Sequence, residues 1–210
     1  MVPVVFPDST SLWLFSLAGL ALLLIPGPAV LYIVVQSAEQ GRRVGLASVA
    51  GVHLGTLVHV GAAAVGLSAL VLASEVAFNV VKYAGAAYLV LLGVRKLLNR
   101  DPDAAVEQRR GPLRQALLRG AVVNVLNPKT ALFFLAFLPQ FVDASRGSVW
   151  SQVMVLGLVF VCLGAITDSL YALAAGTVAG ALRRKRTLLR SGSGAVFIGL
   201  GAVAALAKRT

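Results

Sequence analysis

The chain has 210 residues, 58% of them hydrophobic and 13% charged, with a mean hydropathy of +0.86; a soluble domain carries roughly 25% charged residues. That balance excludes an ordinary soluble domain and indicates a polytopic membrane protein. The net charge of +11, from 19 Lys and Arg against 8 Asp and Glu, reads as a topology signal and not as nucleic-acid binding, because a basic, aromatic binding stripe would have to share a chain that is mostly lipid-compatible.

Six apolar stretches, at about 11–35, 45–70, 76–98, 115–141, 149–179 and 189–207, each approach the ~20 residues that cross a bilayer core. Only Lys82, Lys129 and Asp168 interrupt them with charge. The first stretch reads as a helix of the mature protein, since Met1 to Thr10 supply no Lys or Arg for the positive region of a signal peptide. Arg42 and Arg43 follow span 1, a dense basic group from Arg95 to Arg119 surrounds the span 3 to 4 connection, and Arg183 to Arg190 follow span 5. Basic residues are retained in short cytoplasmic loops, so both termini are expected outside the cytoplasm; Lys208 and Arg209 argue mildly the other way.

The polar segment 100–113 divides the chain into a first three-helix unit, 1–99, and a second, 114–210. Pro28 to Ile33 resembles Pro128 to Phe133, and Gln36 and Gly41 have counterparts in Gln140 and Gly147 if a few residues are inserted. Three helices per half force the second half upside down, which is the inverted-repeat plan of many secondary transporters. The expected fold is therefore all-α: a polytopic membrane bundle of six transmembrane helices, built as a 3+3 inverted repeat with spans 1 and 4 broken.

The breaks carry the chemistry. Span 1 contains Pro26-Gly27-Pro28 near its middle; two prolines remove two backbone donors, and the glycine between them has no helix preference. Such backbone is tolerated at membrane depth only where protein or a wet cavity solvates it. Span 4 repeats the device with Asn127-Pro128-Lys129, Asn127 being a favourable N-cap and Pro128 a favourable first helical residue. Two helix N-termini converging at the midplane, with Lys129 beside one, suit an anion such as a carboxylate. The plainer alternative is that both prolines only kink helices to fit the bundle.

Asp168 sits deep in span 5, where a carboxylate costs roughly 2.5 to 3.5 kcal/mol on insertion scales. It could carry a proton or pair with a substrate ammonium group, with Lys129 or a His of span 2 as its partner in the empty state; a purely structural Lys129–Asp168 pair is the alternative. His53 and His59 lie six positions apart, about 600° around a helix, so they leave from faces roughly 120° apart and form no simple metal pair. His59 shares a face with Gly51 and Gly55, which admits a close neighbour; an interhelical hydrogen bond or a proton relay fits it. Gly176 and Gly180 form a similar small-residue face in span 5, and Lys82 sits where it can snorkel to the outer interface. The single Cys162 excludes an internal disulfide, and there is no nucleophile elbow, phosphate loop or acidic pair to support hydrolysis. An enzyme is not expected, nor a cofactor.

Taken together, Pro26-Gly27-Pro28, the glycines Gly41, Gly45, Gly51 and Gly55, the stretch Lys82 to Leu89 ending at Gly93, and Asn127-Pro128-Lys129 followed by Phe133-Phe134 and Phe137-Leu138-Pro139-Gln140-Phe141 resemble the LysE family of amino-acid exporters, nearer its homoserine/threonine exporter branch. The likeness covers nearly the whole chain. It implies a multi-pass protein of the bacterial inner membrane that exports amino acids or close derivatives in exchange for protons, often as an oligomer. Direction of transport rests on this resemblance alone. The reading that follows has a small zwitterionic amino acid as substrate, its carboxylate at Pro26, Gly27, Pro28, Asn127, Pro128 and Lys129, its amino group or the coupling proton at Asp168, and His59 as a second proton-coupling candidate. A metal-ion exporter and a non-transporting membrane scaffold are the competing readings.

Overall fold

The computed structural model describes residues 5–73, 91, 94, 112–175 and 198. The third and sixth expected spans, apart from three single positions, lie outside the described residues, as do Lys82, Gly176, Gly180 and most of the polar segment. The described residues form six α-helices and no strand: α1 Ser9–Leu24, α2 Pro28–Gln40, α3 Arg42–Ala73, α4 Leu113–Val125, α5 Pro128–Leu132 and α6 Val149–Leu173.

Local chemistry sets most of these boundaries. Asp8 caps α1 by accepting from the Ser11 amide at 2.9 Å, and hydrogen bonds from Ser11 hold its carboxyl below the ordinary carboxylate range. Helix α1 stops short of Pro26, and Pro28 opens α2 at the first helical position behind Gly27. The two segments pass as one span bent by 52°. Asn127 caps α5 by accepting from the Lys129 amide at 3.1 Å, and α4 with the segment Pro128–Phe141 forms a second bent span, at 48°. Beyond Leu132 the helix widens into a π turn, Phe133–Phe137, and then tightens into a 3₁₀ turn, Leu138–Phe141. Pro139 explains the change of pitch: it has no N–H for the Leu135 carbonyl and its ring crowds that carbonyl. Helices α3, 32 residues, and α6, 25 residues, are each long and apolar enough to cross a membrane by themselves.

The burial pattern suits lipid. Gln36, Ser48, Asn124, Gln152 and Asp168 are buried, whereas Trp13, Leu17, Leu126, Trp150 and Leu170 face outward. The Val5 amide donates to Ser151 Oγ at 3.0 Å, so Trp13 of α1 and Trp150 of α6 lie toward the same end of the bundle, as interfacial aromatics do. Since lipid gives apolar side chains no reason to leave it, close packing must hold the helices together. Gly55 and Gly120 supply it between α3 and α4: a Cβ at either would stand 2.7 Å from a carbonyl oxygen, that of Ala121 or of Ser48. Gly51 meets the Leu117 carbonyl in the same seam. On the other side, Phe15, Phe133, Phe137, Phe141 and Phe160 interleave among α1, the π turn and α6, with Phe133 and Phe160 stacked at 4.7 Å. Two side chains tie α2 down: Tyr32 donates to the Ala116 carbonyl at 2.9 Å and Ser37 to the Ala172 carbonyl at 2.6 Å.

Candidate functional site

Both breaks open onto one small cavity of about 40 Å³, room for a few waters and too little for an amino acid. Gly27, Ala29 and Val30 line it from the first break, Asn127, Lys129 and Thr130 from the second, and His53, Thr56, Phe160 and Asp168 from α3 and α6. Its polar groups sort into three sets.

The first set is the capped end of α1. Its last carbonyls lie at the negative end of the helix dipole, where a helix runs out of its own amide donors; that of Leu22 accepts one last backbone bond, from the Ile25 amide at 3.3 Å. Lys129 Nζ donates to the Leu22 carbonyl at 2.7 Å and to the Ile25 carbonyl at 2.5 Å, while the Tyr171 hydroxyl donates to the Leu24 carbonyl at 2.8 Å. The lysine stem crosses Gly27 closely; a Cβ there would stand 3.0 Å from Lys129 Cδ.

The second set centres on Asn124, whose amide nitrogen donates to the Val52 carbonyl and to Thr56 Oγ1, both at 2.9 Å. Its amide oxygen accepts from Asn127 Nδ2 at 3.2 Å and from Thr130 Oγ1 at 3.0 Å. One side chain therefore fixes α3, α4 and the start of α5 to one another. The Asn124 backbone carbonyl lies 3.0 Å from His59 Nε2, and the imidazole stacks over Phe134 at 6.4 Å.

The third set is a buried contact between an imidazole and a carboxylate, His53 Nε2 to Asp168 Oδ2 at 3.2 Å. Asp168 Oδ1 and both imidazole nitrogens of His53 are buried without a hydrogen-bond partner, so the contact is close without being an aligned hydrogen bond. Gly164, one turn before Asp168, makes room for the imidazole: a Cβ there would stand 2.5 Å from His53 Cε1.

A family model described as LysE type translocator matches residues 20–208. The chain belongs to the LysE family. Among relatives of this LysE-family protein, an uncharacterized membrane protein of Vibrio cholerae is 34% identical, the match covering 93% of this chain and 97% of the relative. A homoserine/homoserine lactone efflux protein of Salmonella typhi is 31% identical over the same shares. A leucine efflux protein of Enterobacter sp. (strain 638) is 28% identical, covering 90% of this chain and 92% of the relative. No solved structure matches. With its apolar helices and these relatives, the LysE-family chain is a multi-pass membrane protein.

Of the residues singled out from the sequence of this LysE-family protein, Gly27, Asn127, Lys129 and Asp168 meet around the cavity. Pro26, Pro28 and Pro128 set the breaks without lining it. The ammonium of Lys129 binds carbonyls of α1, so a lysine expected beside an incoming anion also closes the end of a helix. Asp168 finds its partner on α3, as one of the alternatives had it, and that partner is His53. His59 is held by α4 and lies outside the cavity lining. Sequence reasoning passed over Asn124 entirely. A signal was present, since a second Asn three residues before Asn127 in an apolar span is costly unless bonded. Among the described residues no group of three or more His, Cys, Asp or Glu is placed to hold a metal ion.

Proposed function

We propose that this protein is a secondary active exporter of amino acids or close derivatives in the bacterial inner membrane, with the cavity at the two helix breaks as its substrate site. The observation that carries the reading is the meeting of both interrupted spans, with a buried carboxylate and imidazole, on one cavity. The first-turn amides of α2, at Ala29 and Val30, have no acceptor within the helix and receive the substrate carboxylate at the positive end of the dipole. Asn127 and Lys129 complete that end from the second break. The substrate amino group, or the coupling proton, belongs to Asp168. His53, in contact with Asp168, takes the proton-relay role in preference to His59, which packs against α4.

The wider architecture follows the same reading: six spans in two inverted halves, both termini outside the cytoplasm. Two features support the internal repeat. The bends of 52° and 48° are alike, and among the described residues the positive φ angles fall at Gly41 (φ 92°) and Gly147 (φ 120°), each just after a broken span and before a long straight helix. Relatives that export leucine and homoserine by name support an amino-acid cargo, and the cavity, too small for one as it stands, must widen to admit it.

Reconstituted vesicles test this. With the lumen one pH unit more acid than the outside, exchange of one proton per substrate sustains about a tenfold accumulation of labelled leucine or homoserine in the lumen. Accumulation that collapses with the pH gradient is the expected result. Vesicles that move no amino acid from a panel, under any gradient, would leave the scaffold reading standing in its place.

A further inference from the structure

We propose that the Leu22 and Ile25 carbonyls are the subsite for the substrate's ammonium group, and that Lys129 occupies this subsite in the empty carrier as a tethered stand-in. The proposal rests on the amino-acid reading above and narrows it: it assigns the ammonium to the end of α1 and leaves Asp168 with the proton.

Three observations carry it. The two carbonyls converge on a single primary ammonium, at 2.7 and 2.5 Å, at the negative end of a helix dipole where a cation is favoured. The ammonium comes from the other half of the chain, its stem passing over Gly27, where a Cβ would stand 3.0 Å from Lys129 Cδ, so the contact joins the two breaks. The same cavity also holds a polar group the protein does not satisfy, Asp168 Oδ1, buried and without a hydrogen-bond partner.

A substrate α-ammonium carries the three N–H donors and the charge of Lys129 Nζ, and so satisfies the same carbonyls. Exchange of one ammonium for the other keeps the end of α1 capped, which matters because bare carbonyls in a low-dielectric interior are costly. The displaced lysine, anchored beside Gly27, is then next to the α2 amides that receive the carboxylate, and supplies its counter-charge. The two charges of a zwitterion are thus read in sequence, the ammonium displacing Lys129 and the carboxylate capturing it. Displacement also unties the two breaks, a direct way for substrate to loosen the closed arrangement.

Binding to the purified full chain in lipid nanodiscs, by competition against labelled leucine, tests the assignment. Three ligands share one side chain: leucine, leucinamide, which keeps the ammonium and lacks the carboxylate, and 4-methylpentanoate, which keeps the carboxylate and lacks the ammonium. In the unmodified protein 4-methylpentanoate should fail to compete at concentrations about 100-fold above those at which leucine does. In Lys129→Ala the subsite is vacated, so leucinamide should bind about 10- to 100-fold more tightly than it does to the unmodified protein, the equivalent of one charged hydrogen bond no longer displaced. Leucinamide affinity that is unchanged or weaker in Lys129→Ala would overturn the subsite. So would 4-methylpentanoate competing as well as leucine, an outcome readable without any variant. If neither leucine nor any other amino acid binds the unmodified protein, the amino-acid reading has failed, and the subsite with it; if leucine binds but the ligand series behaves otherwise, the subsite alone has failed.

Discussion

Asp168→Asn should reduce the accumulation ratio driven by a one-unit pH gradient from about ten to one, the whole of the ~1.4 kcal/mol that one exchanged proton supplies. Exchange of labelled for unlabelled substrate across the same membrane should persist, because the amide keeps the volume of the carboxylate and only loses the titratable proton. Folding is measured alongside, because removing one member of a buried charged pair can cost about 3 to 5 kcal/mol; the amide keeps an oxygen that can face His53, so inserted, monodisperse protein is the expected result and the control for both transport assays. The measurement pairs gradient-driven uptake with counterflow in the same vesicles. A variant that still accumulates substrate tenfold would remove Asp168 from the coupling step, and one that loses both activities would make it a binding residue.

Asn124→Leu should destabilise the fold around the site while leaving every proline and glycine in place. It breaks four hydrogen bonds, to Val52, Thr56, Asn127 and Thr130, and leaves the Asn127 amide and the Thr130 hydroxyl facing an apolar group. At an average of ~0.6 kcal/mol for a hydrogen bond between membrane helices, the loss is about 2 to 3 kcal/mol. That corresponds to a fall of roughly 5 to 10 °C in Tm for a chain of this size. Thermal unfolding in detergent reads the effect directly. An unchanged Tm would mean that α3, α4 and α5 are held together by the glycine seam alone.

How much of this was legible in the sequence follows the range of each interaction. Both breaks could be read because their cause is local: Pro26, Pro28 and Pro128 lack an N–H whatever surrounds them, and Asn127 caps its own next turn. Helix α5 ending after five residues in a π turn was not read, although Pro139 stands in the sequence to account for it. The partner of Asp168 was open because His53 and His59 leave α3 on different faces, and only the rotation of α3 against α6 decides which one reaches the cavity. Gly164 leaves the room that His53 fills, a signal that cannot be told from ordinary small-residue packing in one sequence. Lys129 was read as a cation near an anion site; that its ammonium would cap α1 depends on a contact more than a hundred positions away. Small residues were more informative in groups, since Gly51 and Gly55 did mark the face that meets α4.

In the proposed transport cycle the two interrupted spans open onto one substrate site. Single cysteines at Ala29 and Thr130, in a chain with Cys162 replaced by Ser, address it most directly. Both positions are buried in the closed arrangement, so a membrane-permeant thiol reagent reaches them only when the cavity widens. Both cysteines should react, and saturating leucine or homoserine should slow both to the same extent and over the same concentration range. Protection at one break with none at the other, or labelling at both that no amino acid alters, would contradict it.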